Sequence, residues 1–335
     1  MPSCDTDLDL TADYKDVTIV YALLNQADSV QFIRIQRSFL DKNTSALIIA
    51  ENPDSIYYTD ADLNVRLDIL NEDGNPQGSI PVSRVDISQP PYNIPKDTGT
   101  FANEPNIMYV ITQRLDSTRN YRLVIDNFKA GQTIDGATPM VRAVRFFYPN
   151  PLLPPIDLAA QNLPPVRFLT AENGKIYDMS MIFTYEEYPL GNPSMAVIKT
   201  IEWPMFNSFI GFNTEGEQNA EVNFDGKAFF NFMASRLEED PNLERRAIRI
   251  VQFKMDIGAE EFWNYNRVAV AQSGLTGNEA LPNYTNLSDG IGLFSSRYRQ
   301  FLNGVELNFK TIDTLACSPT TEGLNFLNSS GVLCR

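Results

Sequence analysis

Leu63-Asn64-Val65-Arg66-Leu67-Asp68-Ile69 is followed, one residue later, by Asn71-Glu72-Asp73-Gly74. Leu63, Val65, Leu67 and Ile69 occupy every second position, with Asn64, Arg66 and Asp68 between them. Side chains alternate across a β-strand, so the apolar four share one face and the polar three share the other. Asp73-Gly74 then supplies a hairpin turn. The reading is a strand half-buried in a sheet, and the chain on either side repeats it.

On the N-terminal side, Val17–Leu24 is an unbroken apolar run, which predicts a strand buried on both faces. Gln26-Ala27-Asp28-Ser29 makes a short turn into Val30–Phe39, where Ile33 and Ile35 alternate with Arg34 and Gln36. On the C-terminal side, Ile80–Ile87, Ile107–Leu115, Tyr121–Ile125 and Val141–Tyr148 read as further strands. Gln89–Asn106 between them is a long loop rich in proline and polar residues. Short strands at this spacing, with no helical period among them, predict an immunoglobulin-like antiparallel β-sandwich over residues 14–148.

The character of the chain then changes. Prolines 149, 151, 154, 155, 164 and 165 crowd one segment. Proline fixes φ and donates no ladder hydrogen bond, so 149–165 reads as an extended connector. Residues 166–315 read as a mixed α+β domain, making the whole chain mainly β with some α. Lys175–Glu186, Met195–Trp203 and Ala247–Met255 are its strands. Asp225 is placed to cap a helix reaching about Glu239, before Pro241, with Phe229, Met233 and Leu237 on one face. A second helix spans Ala259 to Ser273, with Gly258 as cap, Glu261 at the capping-box position and Gly274 as stop.

Composition excludes several function classes. The 335 residues are 43% hydrophobic and 11% aromatic, enough for a sizeable core. The formal charge is −15, from 42 acidic and 27 basic residues, without a basic stripe, which argues against nucleic acid as a partner. The sequence has no histidine, which removes Ser-His-Asp and Cys-His chemistry and most zinc and copper sites. No cofactor or metal is expected. An enzyme here would have to work with carboxylates, lysine or tyrosine.

Few residues offer chemistry. Gly290-Ile291-Gly292 lacks the third glycine of a dinucleotide loop and reads as close packing before a strand near Phe294. Glu186-Glu187, Glu260-Glu261 and Glu238-Glu239-Asp240 are carboxylate neighbours, but adjacent side chains point apart, and a glycosidase needs two that face one substrate. Glu260-Glu261 suits the positive end of a helix dipole. Phe229-Phe230-Phe232 and Phe262-Trp263-Tyr265 read as core packing before they read as a pocket lining. Trp203 and the loop Gln89–Asn106 are surface candidates for partner contact.

The three cysteines decide the compartment. Ser3-Cys4 has the small-residue-then-cysteine pattern of a lipoprotein signal, making Cys4 the expected lipid attachment point and residues 1–13 a tether. Cys317 and Cys334 then remain as a disulfide pair closing a tail over 316–335. The alternative is two unpaired thiols in a reducing compartment. No apolar run approaches the ~18 residues that span a bilayer. Asp5, Asp7 and Asp9 begin like a calcium loop, but Leu10 stands where the turn needs glycine and Asp16 replaces the terminal glutamate.

Four stretches, in order, carry a family resemblance. They are Tyr14-Lys15-Asp16 with Ile19–Leu24; Tyr121–Ile125 with Gly131 and Ala137-Thr138-Pro139; Ile257–Tyr265 with Gln272; and Thr285–Phe294. The chain resembles a family of Bacteroidota outer-membrane lipoproteins of unknown function, commonly encoded beside TonB-dependent transporters. The resemblance implies that Asp5, Asp7 and Asp9 act as the signal for export to the cell exterior. It also implies a TonB-dependent transporter as partner and a non-enzymatic binding or accessory role in uptake. Two other functions stay open on the residues alone: a carboxylate-dependent hydrolase of glycans or peptides, and a cell-surface adhesion or scaffold module.

Overall fold

The computed structural model describes residues 17–38, 45–273 and 284–334. The protein is mainly β, with fifteen strands and five α-helices among the described residues. It divides into two compact units, and neither is continuous in sequence. The first is Met1–Met140 with Asn264–Ser296, and the second is Val141–Trp263 with Arg297–Arg335. Cys4, Asp5, Asp7, Asp9 and Tyr14-Lys15-Asp16 lie outside the described residues.

In chain order the first unit begins with β1 (Thr18–Asn25), β2 (Gln31–Arg37), α1 (Ala46–Ala50) and α2 (Pro53–Ile56). Next come β3 (Leu63–Leu70), β4 (Pro76–Pro81), β5 (Ser83–Asp86), β6 (Ile107–Ile111), β7 (Asn120–Asn127) and β8 (Gln132–Pro139). One sheet has the order β4-β3-β7-β8, and the other contains β1-β2-β6-β5. Leu63, Val65 and Leu67 are buried as their spacing predicts, and Gly74 makes the turn at φ +78°. Val20, Ile33 and Tyr109 from one sheet share a single core with Leu67, Leu123 and Ile125 from the other.

Three differences from the sequence expectations have physical causes. β1 is not buried on both faces: Val20, Ala22 and Leu24 point inward while Tyr21 is 40% exposed. The Tyr21 ring instead meets Tyr265 edge-on at 6.0 Å, with the two hydroxyls 3.3 Å apart. The strand expected over Ile80–Ile87 is two strands, β4 and β5, belonging to different sheets. Pro81, which has no N–H to donate, sits at the break. The hairpin of β7 with β8 has no counterpart in the sequence reading, because Gln132–Pro139 carries too few apolar residues to show alternation.

The second unit adds β9 (Arg145–Tyr148), β10 (Val166–Leu169), β11 (Ile176–Pro189), β12 (Val197–Ile210), β13 (Asn219–Val222) and α3 (Lys227–Arg236). After them come β14 (Leu243–Gly258), α4 (Glu260–Ser273), β15 (Gly290–Leu302) and α5 (Phe309–Cys317), with α4 from Asn264 onward belonging to the first unit. Its long strands run β12-β11-β14-β15, and a small sheet has the order β13-β10-β9. β15 also neighbours β1, through its residues in the first unit. On β11, Tyr177, Met179, Met181, Phe183 and Tyr185 are buried on one face against Phe229 and Met233 of α3.

Here too the sequence expectations meet corrections. Trp203 is not a surface residue: it is 4% exposed and packs 5.4 Å from Phe229 and 6.4 Å from Phe224. It occupies an inward position of β12, and its size makes it a core residue. The segment 149–165 is no free spacer but part of the second unit. Ile156 and Leu158 are buried, and the Ile156 backbone bonds Glu306 and Asn308. The unit boundary falls at Met140, and residues 264–296 return to the first unit instead of extending a second domain. α3 ends at Arg236, short of Pro241, with Leu237 extended. Asp225 does serve the start of α3, accepting from Lys227 N at 2.9 Å. Gly258 is the last residue of β14, paired with Ile176, instead of the cap of α4, which begins at Glu260; a Cβ at 258 would lie 2.4 Å from the Phe262 ring. Gly274 lies outside the described residues.

Cys317 and Cys334 are joined in a disulfide, with Cα atoms 5.2 Å apart. Closing a loop of this size stabilises by about 3 kcal/mol on the chain-entropy account. A buried arginine holds the same tail. Arg246 donates to Glu187 at 2.9 Å, to the Leu324 carbonyl at 2.7 Å and to the Glu238 carbonyl at 3.2 Å.

Candidate ligand-binding site

The site arises from where strand pairing stops. β14 is paired with β11 along its length. On its other side β15 covers only Phe253–Gly258, and a single bridge joins Arg246 to Phe326. Between those two stretches, Ile248–Val251 border a cavity of about 440 Å³, completed by Gly304–Leu307 and by Ile312 of α5. Ile248, Ile250, Val251, Val305, Leu307 and Ile312 make an apolar lining, and Arg249 and Glu306 are its charged members. Size and chemistry fit a small-ligand pocket, in which apolar walls give affinity and a few polar groups give orientation.

Of the two charged lining residues, Arg249 is tied to β11, the strand on the other side of β14. Arg249 Nε lies 3.2 Å from Glu186 Oε1, and the other oxygen of Glu186 accepts from the Tyr188 hydroxyl. That hydrogen bond to a carboxylate pushes the Tyr188 phenol above its ordinary range. The Arg245 guanidinium sits 4.2 Å over the Tyr188 ring. Farther along the same strands Ser180, Glu202, Lys254, Asp256 and Arg299 form a ladder of hydrogen bonds and ion pairs. Ser180 donates to Glu202 at 2.7 Å, Lys254 contacts Glu202, and Arg299 reaches both oxygens of Asp256 at 2.5 and 3.1 Å. Burial works to raise the Glu202 carboxyl, but the bonds from Lys254 and Ser180 outweigh it and hold it below the usual range.

Glu306 is the one carboxylate among the lining residues of this cavity. Asp62, Asp86, Asp126, Glu202 and Asp313 are all held below their ordinary range. General-acid work at neutral pH needs a carboxyl pushed the other way. Glu186 and Glu187 point to opposite faces, the first toward Arg249 and the second into the buried contact with Arg246. Glu260 and Glu261 sit in the first turn of α4. Asp240 accepts from Asn242 N in a local turn.

The remaining residues singled out in the sequence are placed as follows. Gly292 has φ +120°, and a Cβ there would lie 1.9 Å from the Val20 carbonyl oxygen, so it lets β15 approach β1 closely. Phe229 and Phe230 are core, and Phe232 packs against them. Trp263 and Tyr265 are only half-buried, and Lys175 lies 5.3 Å over the Trp263 ring. The loop over 89–106 is tied at its base by Asn106, whose N–H donates to Asp86 and whose amide donates to the Ile94 carbonyl. Among the described residues no helix is long and apolar enough to cross a membrane. The 440 Å³ cavity has no sequence signature, because it exists where a neighbouring strand ends and no residue type marks that. No protein-family model matches this chain, and no curated protein matches it significantly.

Proposed function

We propose that this chain is a surface-exposed outer-membrane lipoprotein, anchored through Cys4, that captures a ligand without catalysis as an accessory to a TonB-dependent uptake system. The reading places it with the Bacteroidota lipoproteins it resembles, with Asp5, Asp7 and Asp9 as its export signal. The cavity bordered by Ile248–Val251 and Gly304–Leu307 carries the binding part of this reading. Glu306 is the one carboxylate among the cavity's lining residues, and a glycosidase needs two that face one substrate, which favours binding over the hydrolase alternative. The Cys317–Cys334 bridge favours an oxidising compartment, where such bonds persist.

We further propose that the first unit is an immunoglobulin-like sandwich. Its strand orders β1-β2-β6-β5 and β4-β3-β7-β8 correspond to the A-B-E-D and C′-C-F-G arrangement of that fold. The Tyr121 hydroxyl at the start of β7 accepts from Asp116 N at 2.8 Å, the tyrosine-corner bond of such domains.

The test is recovery of the native protein from outer membranes. The expected result is a diacylated Cys4 by mass spectrometry and co-purification with a transporter, both lost in Cys4→Ala. A bare thiol on Cys4, or recovery alone with hydrolysis of a glycan or peptide, overturns the reading.

A further inference from the structure

We propose that the first unit carries a separate polar seat for a small neutral polyhydroxylated molecule, such as a monosaccharide ring, in a recess bordered by Arg84, Tyr109, Asp60 and Asn64. It goes beyond the function above and does not rest on it, because no residue of the recess belongs to the cavity beside β14. The recess measures about 180 Å³. That is room for several waters at ~30 Å³ each, and so for one compact organic molecule.

Its walls carry an unanswered hydrogen-bonding demand. Arg84 of β5 and Tyr109 of β6 stand directly opposite each other in the strand register. Tyr109 is 4% exposed, and its phenol oxygen has no hydrogen-bond partner. Arg84 Nε is also buried without one. Buried donors and acceptors are almost always paired in native proteins, so two orphans bordering one recess point to a guest that supplies the partners. Asp60 lies across from them, its carboxylate 3.5 Å from Arg84 Nη1.

The charge pattern selects the class of guest. Burial is the largest influence on Tyr109 and pushes its phenol up to about 12, so at neutral pH it keeps a proton to donate. Asp60 and Asp62 push the same way and Arg84 pulls back. Arg84 and Asp60 are the charged members of the lining and already pair with each other, so a carboxylate or phosphate finds no unpaired cation there. Arg84 Nε–H in turn requires an acceptor, which a simple cation lacks. A hydroxyl does both: its oxygen accepts from Arg84 or Tyr109 and its hydrogen goes to Asp60. Neighbouring hydroxyls on one small ring satisfy all three groups together.

The experiment is calorimetric and ligand-observed NMR titration of the full chain with D-glucose, D-galactose and glycerol, with sodium acetate and ethylammonium chloride as charged controls. At least one neutral probe is expected to bind and both charged probes to bind more weakly. Tyr109→Phe keeps the ring in the core and removes only the hydroxyl; it is expected to weaken binding about tenfold, the worth of one good hydrogen bond. Asp60→Asn, at an exposed position where folding is not at stake, should weaken it several-fold. Binding by none of the neutral probes, acetate binding tighter than they do, or affinity unchanged in both variants overturns the proposal. So does a crystal soaked in the tightest probe that shows only ordered water beside Tyr109 and Arg84.

Discussion

Asp126 shows how single side chains set the acid response. Its carboxylate accepts from Arg66 at 2.9 Å, Thr133 at 3.0 Å and Asn64 at 3.2 Å. Burial works to raise its pKa, but these donors outweigh it and the folded value falls below the ordinary one. As pH falls, the unfolded chain therefore takes up the proton first. The stabilisation is complete above about pH 4, the unfolded value, and is lost as pH falls through the folded one. Asp126→Asn should lose about 1 kcal/mol at neutral pH. It should also show a shallower decline of stability with acid, read by denaturant titration at a series of pH values. An unchanged acid slope would reject this account. Little of it is legible in the sequence, because the three donors come from β3 and β8, and strand register alone brings them to Asp126.

At the scale of elements, Arg246 is the pin between β14, the end of α3 and the disulfide-closed tail. Its side chain and that of Glu187 are 4% and 8% exposed. Breaking a buried pair from one side leaves an uncompensated charge, which costs about 3–5 kcal/mol. Lys199 still reaches Glu187 at 2.6 Å, so Arg246→Ala is expected near the lower end of that range. The double variant Arg246→Met with Glu187→Met should be milder than Arg246→Ala in urea denaturation; equal losses would show that the backbone contacts to Leu324 and Glu238 dominate. The sequence reveals elements where periodicity is strong. β3 follows from Leu63, Val65 and Leu67, and α3 from Phe229 and Met233. It conceals β8, β10 and β13, which are short or mixed in polarity and take their strand form from neighbours. α5 has an asparagine cap, Asn308, and apolar residues at 309, 312, 315 and 316, signals that a reading led by strands passes over. The cavity stays hidden for another reason: the end of β15 pairing is a property of two strands together.

For the whole molecule, the net charge of −15 is the dominant long-range term. Raising salt to physiological strength shortens the screening length to ~8 Å and relieves self-repulsion. It also weakens the exposed ion pairs, but each contributes only about 0–1 kcal/mol. The thermal midpoint should therefore rise between low and physiological salt in scanning calorimetry; a fall would mean that the ladder around Lys254 and Arg299 outweighs the global charge. The division into units was not legible in composition, because the proline-rich stretch suggests a break where the chain is in fact packed. The first unit comprises Met1–Met140 together with Asn264–Ser296, so the ribosome delivers its halves at different times. When residue 140 emerges, β1 still lacks the neighbour that β15 provides. The nascent protein must carry that bare edge until synthesis has passed 141–289 and reached β15. Translation thus exposes a strand edge that the finished protein covers, and holdase chaperones have their natural point of action there.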